Sequence, residues 1–243
     1  MHKLDTNADV LGRKAPLPEA KDADFGRVAL IVIDMQRFFI DAPGGMPNSH
    51  AADIIDSINV LARATRDAGG MVVFTQHAFR DDGRFALPEW KKGDHPVLAR
   101  LARDLSVGSP DFALHDRLDI APGDHRITKF QPSAFHPLSY EHEADGLHYL
   151  LRQSGIDTLI ITGTVTNGCC ECTARDAWQH HYRVLFVSDA NAAATDAEHN
   201  ASLNGMGGFV AHVVTTRQTA DWLSAGGGVS SDNLEQRDPA RVG

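Results

Sequence analysis

Three residues suited to acyl-transfer chemistry stand just past apolar runs. Asp34 closes RVALIVID at 27–34, Lys129 closes a short run at 124–129, and Cys169 follows the run at 158–163 after TVTNG. A carboxylate can take the proton of a thiol and later return it to a departing amine, and the thiol becomes a strong nucleophile once that proton leaves. A helix beginning at Cys169 would aim unpaired N–H groups and a positive dipole end at the sulfur. Together with a nearby Lys129, that predicts a lowered thiol pKa. Backbone N–H groups between Val165 and Cys169 would face a developing oxyanion. Each residue alone has a plainer reading. An Asp after a strand caps a helix or turn, a Lys at a strand end is solvated, and a Cys in a first helical turn is a small buried hydrophobe.

The elements that must position these groups follow from the apolar pattern. Runs at 27–34, 70–75, 124–129, 158–163, 183–188 and 209–214 predict six strands. Helical spacing predicts helices over 50–68, 141–154, 169–181 and 218–223, and another opening at Thr195. Asn48 or Ser49 is expected to cap the first of these and Gly69 to end it, while Thr195 and Glu198 form a capping box. The stretch 77–123 reads as irregular, with short helical pieces near 97–105. The strands are continuous apolar runs rather than alternating ones, which predicts a parallel sheet covered on both faces. The fold class is therefore α/β: a doubly wound, Rossmann-like three-layer sandwich with a six-stranded parallel sheet. In such sheets the site lies at the carboxyl ends of the strands, where Asp34, Lys129 and Cys169 all stand. Gln76 and His77 follow the second strand, and Ser188 and Asp189 the fifth.

The chain has 243 residues, 42% of them hydrophobic and 23% charged, with a net charge of −9. The acidic balance argues against a nucleic-acid partner. No apolar run approaches the roughly 20 residues of a membrane span, and residues 1–24 lack the apolar core of a signal peptide. A cytoplasmic protein is the expectation, with a polar, poorly ordered arm over 1–24, one domain over 25–224 and a flexible tail over 225–243. The three cysteines, Cys169, Cys170 and Cys172, crowd into four positions. They cannot staple distant segments, and paired Cys-x-x-Cys spacing with a fourth ligand is lacking, so neither structural zinc nor a cofactor is expected.

Three segments, in order and spacing, resemble the isochorismatase-like cysteine hydrolase family. ALIVIDMQRFF at 29–39 resembles its aspartate motif, ITKFQPSAF at 127–135 its lysine motif, and ITGTVTNGCCECTARDA at 161–177 its nucleophile motif; SDA at 188–190 is a weaker match. The resemblance covers about 27–223 and identifies 25–224 as a hydrolase domain. It implies a catalytic triad of Asp34, Lys129 and Cys169. It also implies a cis peptide between Thr164 and Val165, and an oxyanion hole from the Val165 and Cys169 amides. Cys169 matches the family nucleophile; Cys170 is expected to point into helix packing and Cys172 to be buried filler. The family commonly forms dimers or tetramers, so a homodimer or homotetramer is expected.

The family cleaves nicotinamide, carbamoyl and ureido amides, related small amides, and isochorismate. Its true isochorismatases hydrolyse a vinyl ether and lack the thiol. Cys169 therefore favours hydrolysis of the C–N bond of a small-molecule amide through a thioester, releasing ammonia or an amine. Nicotinamidases carry one Asp and two His as metal ligands after the second strand. TQHAFRDDGR at 75–84 holds one His without the preceding Asp or the second His, which disfavours nicotinamidase and a required metal. A ureido or carbamoyl amide remains. Candidate substrate-binding residues are Phe39, Gln76, His77, Trp90 and Phe135. His77 either lines the pocket or sits on the surface, and Phe39, beside Phe38, is either pocket wall or core. Arg80, Arg84 and Lys91 either meet a substrate carboxylate or are solvated. The rivals are a vinyl-ether hydrolase using Asp34 alone, and a non-catalytic binding protein on the same fold, which need not keep the Asp–Lys–Cys set.

Overall fold

The structure is a computed structural model that describes residues 1–5, 17–43, 45–80, 83–86, 88, 90, 96 and 98–225. Six parallel strands form one sheet: β1 (Val28–Ile33), β2 (Met71–His77), β3 (His125–Lys129), β4 (Thr158–Thr164), β5 (Arg183–Ala192) and β6 (His212–Val214), in the order β3-β2-β1-β4-β5-β6. The order reverses between β1 and β4, which opens a crevice at their carboxyl ends. Ile33 is there in register with both Thr75 and Gly163, and His77 with Lys129.

The apolar runs form central strands because both faces are covered. Val28, Leu30 and Val32 join one core with Ile55, Ile58 and Leu61 of helix α2 (Ile55–Asp67) and Leu223 of helix α7 (Thr216–Ala225). Ala29, Ile31 and Ile33 join the opposite core. Its helical residues come from α4 (Leu147–Gln153), α5 (Glu171–Gln179) and α6 (Asp196–Gly207). Alternate side chains of one strand thus feed two cores. Removing one of these side chains, as in Ile31→Ala, costs about 2–5 kcal/mol. Two single-turn helices, α1 (Arg37–Ile40) and α3 (Leu101–Asp104), bring Phe38, Leu101 and Leu105 into a third, small cluster. Among the described residues no helix is long and apolar enough to cross a membrane.

Several boundaries differ from the sequence pattern, each for a local reason. The expected strand at 209–214 shortens to His212–Val214, because the amides of Phe209, Val210 and Ala211 all bond the Met206 carbonyl at the exit of α6. The expected helix at 141–154 is broken at Gly146 into a 3₁₀ turn, Glu143–Asp145, and α4. Asn48 does not cap α2, which is entered through a 3₁₀ turn at Ala52–Ile54. Its side chain instead accepts from the His50 amide and donates to Thr164 Oγ1. β5 runs on to Ala192, so Asp189 lies within it, and its carboxylate accepts from the Thr216 amide at the start of α7. Thr195 does cap α6, accepting from the Glu198 amide and donating to its carboxylate. Residues 1–5, expected to lack order, lie along α6. Most of the tail falls outside the described residues.

Candidate active site

Asp34 is the first residue after β1 and has φ +51°, the left-handed region that Asp tolerates better than most side chains. Its amide donates to the Thr75 carbonyl at 3.2 Å. The Thr75 hydroxyl donates to Asp34 Oδ1 at 2.8 Å, and Lys129 Nζ donates to Oδ2 at 2.7 Å. Gln36, which sequence reasoning passed over as a site residue, fastens this corner. Its side-chain nitrogen donates to the carbonyls of His77 and Phe112, and its oxygen accepts from the His77 amide. Its place two residues after Asp34, at the end of an apolar run, is the one trace of this role in the sequence.

Lys129 is wholly buried, so the solvated reading does not apply. Its ammonium reaches Asp34, the Gln131 carbonyl at 3.1 Å and His77 Nδ1 at 3.4 Å. Burial alone would draw its pKa down, but the charge of Asp34, and then Cys169, outweigh it and the net direction is up. Because the ammonium only donates, His77 Nδ1 acts as acceptor, which assigns the ring proton to Nε2.

His77 is buried, not on the surface. Its Nδ1 lies 3.8 Å from Cys169 Sγ and 3.8 Å from Asp34 Oδ2, and its ring stacks on Phe79 at 4.5 Å. The two-residue period of β2 puts Thr75 and His77 on the side of Asp34, while Gln76 donates to the Phe112 carbonyl at 2.9 Å.

Gly168, at φ −130°, ψ −107°, kinks the segment Thr166–Cys170, and the helical backbone that resumes at Cys169 continues into α5, so the helix start expected at Cys169 is present. The Val165 carbonyl accepts from the amides on either side of Cys169, those of Gly168 and Cys170. The Thr164–Val165 peptide is cis. The expected lowering of the thiol pKa is reversed. Burial pushes it up, Lys129 pulls it down and Asp34 pushes it up again, and the net direction is up. As a residue Cys169 is half-buried, while Asp34, His77 and Lys129 are buried. Cys170 is core, as expected. Cys172 is exposed rather than buried filler. Cys170, Thr173, Ala174 and Ala177 occupy the inward face, and position 172 falls on the other side of the helix.

Two backbone devices bring the turn to Asp34. Gly163 has φ +120°, and a Cβ there would lie 2.1 Å from the Ile33 carbonyl oxygen, so only glycine lets β4 pass this close to β1. The β4–β5 register shifts between Ile161 and Gly163, where Asn191 Nδ2 donates to the carbonyls of Ile161 and Val187.

The remaining pocket candidates scatter. Phe39 packs edge-on to Phe38 in the third cluster, which also includes Phe79, the ring stacked on His77. Phe135 packs near His148, His180 and Tyr182 and lines a cavity of about 680 Å³ to which none of Asp34, His77, Lys129 or Cys169 contributes. Trp90 is 82% exposed. Arg80 pairs with Glu141 and lies over Phe85 and Phe130, so its charge is spent within the fold. The Arg84 side chain and Lys91 lie outside the described residues. Donor atoms of Asp34, His77 and Cys169 fall within 4.8 Å of one another. The Lys129 ammonium already supplies positive charge among them, 2.7 Å from Asp34 and 3.4 Å from His77, where a cation would have to sit.

Fold and site together define a doubly wound α/β protein with a buried carboxylate, ammonium and imidazole around a thiol at the strand-order reversal. The Isochorismatase domain model matches residues 28–218, and the chain belongs to that family. It is 34% identical over 193 residues to the ureidoacrylate amidohydrolase RutB of Methylorubrum extorquens, covering 74% of each chain. It is 29% identical over 180 residues to the isochorismatase family protein YwoC of Bacillus subtilis, covering 74% of this chain and 85% of that one. A cysteine hydrolase from Pseudomonas syringae pv. phaseolicola superposes with a TM-score of 0.74 at 28% identity, covering 87% of this chain and all of the other.

Proposed function

We propose that the chain is a cysteine amidohydrolase that opens the C–N bond of a small ureido or carbamoyl amide. The observation that carries this reading is the buried contact of Lys129 with Asp34, 2.7 Å long, beside the Cys169 thiol. The likeness to a ureidoacrylate amidohydrolase supports the substrate class.

With the thiol pKa raised by burial, attack needs a base at the moment of reaction. Asp34 takes that proton as the sulfur bonds the carbonyl carbon, and Lys129 offsets the negative charge on both groups. The amides of Val165 and Cys169 hold the oxyanion. As the adduct collapses, Asp34 returns the proton to the nitrogen, which leaves as ammonia. Asp34 then deprotonates water, which attacks the S-carbamoyl carbon and frees a carbamic acid, while the sulfur recovers its proton. One ureido compound and one water become one carbamic acid and one ammonia.

Ammonia release from ureidoacrylate, an N-carbamoyl amino acid, nicotinamide and a simple amide tests this, with Cys169→Ala alongside. Release from a ureido or carbamoyl compound that vanishes in the variant is the expected result. No release from any of the four would overturn the proposal. Turnover of isochorismate surviving in Cys169→Ala would establish the vinyl-ether chemistry instead.

A further inference from the structure

We propose that the N-terminal segment is a positioning strap for the turn that carries Cys169, acting through His2. The proposal rests on reading Cys169 as the nucleophile. Residues 2–5 are gripped by one face of α6, at positions spaced by four. The Asp196 carboxylate accepts from the Lys3 amide, and Asn200 accepts from the Asp5 amide and donates to the Lys3 carbonyl. Asn204 donates to the Asp5 carbonyl. Four-residue spacing keeps these side chains in line along the helix, so the segment is seated rather than merely adjacent.

His2 is buried at the head of this ladder. Its Nε2 accepts from the Ala193 amide at 3.0 Å, which leaves the ring proton on Nδ1, 2.8 Å from Asp196 Oδ1. Donor atoms of His2, His50 and Asp196 lie within 4.8 Å of one another, but that proton already fills the contact a cation would need. The His2 ring stacks on His199 at 4.2 Å and 10°, and meets His50 at 4.1 Å.

Those two histidines lead to opposite sides of Val165. His199 Nδ1 and the Thr166 hydroxyl are hydrogen-bonded at 2.8 Å. The His50 amide donates to Asn48 Oδ1, and Asn48 Nδ2 donates to Thr164 Oγ1 at 3.2 Å. One buried ring therefore supports both Thr164 and Thr166, the residues flanking Val165, four positions before the thiol. His2 touches no reacting atom; it is a positioning residue.

The full-length chain is assayed as parent, His2→Ala, Thr166→Val and the double variant. Readouts are ammonia release from ureidoacrylate and the ratio of iodoacetamide labelling at Cys169 to that at exposed Cys172, by peptide mass spectrometry. His2→Ala should lower kcat about 10-fold with KM within about twofold, the signature of a misplaced reacting group. The labelling ratio should change by about threefold or more. Thr166→Val reads the coupling from the other end, so the test survives poor folding of either single variant. The double variant should be somewhat worse than Thr166→Val alone, because the Thr164 arm is also lost, but should fall short of the product of the two single losses. Losses that multiply, or an unchanged labelling ratio in His2→Ala, would overturn the strap. A parent that releases no ammonia would sink the hydrolase reading, and the labelling ratio would still decide this one.

Discussion

Lys129 holds its ammonium 2.7 Å from Asp34 Oδ2 with neither side chain reaching solvent. A surface pair of this length contributes little, but an enclosed one fixes both charges in place and makes the loss of either partner severe.

Lys129→Met should therefore cost about 3–5 kcal/mol of stability, because it strands the Asp34 charge without a partner. Urea unfolding measures this. The double variant Asp34→Asn, Lys129→Met should regain much of the loss, since no lone charge remains. A double variant as unstable as the single one would show that packing around Lys129, rather than the pair, sets the cost.

Cys169→Ala should end ammonia release and leave the melting temperature within a few degrees of the parent. Cys172→Ala, on the exposed side of α5, should retain the parent rate. Iodoacetamide should inactivate parent and Cys172→Ala alike. Persistent activity after complete labelling of Cys169 would exclude the thiol route.

Gly163→Ala should destabilise the chain by more than about 1 kcal/mol, because the position needs a positive φ that alanine resists. The added methyl would also meet the Ile33 carbonyl at 2.1 Å, pressing on the residue that precedes Asp34. Thermal unfolding and kcat should fall together. A variant with the parent's kcat would show that the β1–β4 approach does not set the position of Asp34.

Burial pushes His199 down to about 4, with His2 and His50 adding to the shift and the Ser188 carbonyl and Asp196 opposing it. Its ordinary value is 6.5, so between about pH 6.5 and 4 the unfolded chain binds a proton that the folded chain refuses. The contribution of this residue is complete above 6.5 and is lost as pH falls toward 4. The melting temperature should drop over that interval, and His199→Gln should flatten the drop. An equally steep fall in the variant would place the acid sensitivity elsewhere.

Much of the site was legible in the residues because Asp34 and Lys129 each end an apolar run, and a strand end in a parallel sheet is where side chains meet a crevice. His77 was half-legible: its position after β2 was visible, but not whether it faced inward. Gln36, His2 and His199 were not legible as site residues. Their roles depend on partners far away in the chain, 41 positions in the case of Gln36 and His77 and 191 for His2 and Ala193. The residues expected to bind substrate fared unevenly. Trp90 and Phe135 are aromatic, but the loop path, not the residue type, determines which aromatic comes near Cys169.

By itself the sequence determined the order of strands and helices and the chemical identity of the groups at the strand ends, because both are local properties of the chain. Tertiary structure alone decided that Lys129 is enclosed, that burial and Asp34 raise the Cys169 thiol pKa where a helix start and a lysine alone would lower it, and that residues 2–5 are seated on α6. Those outcomes depend on which groups from distant segments exclude water and supply charge and hydrogen bonds. Such neighbours are chosen by packing, and no local spacing records them.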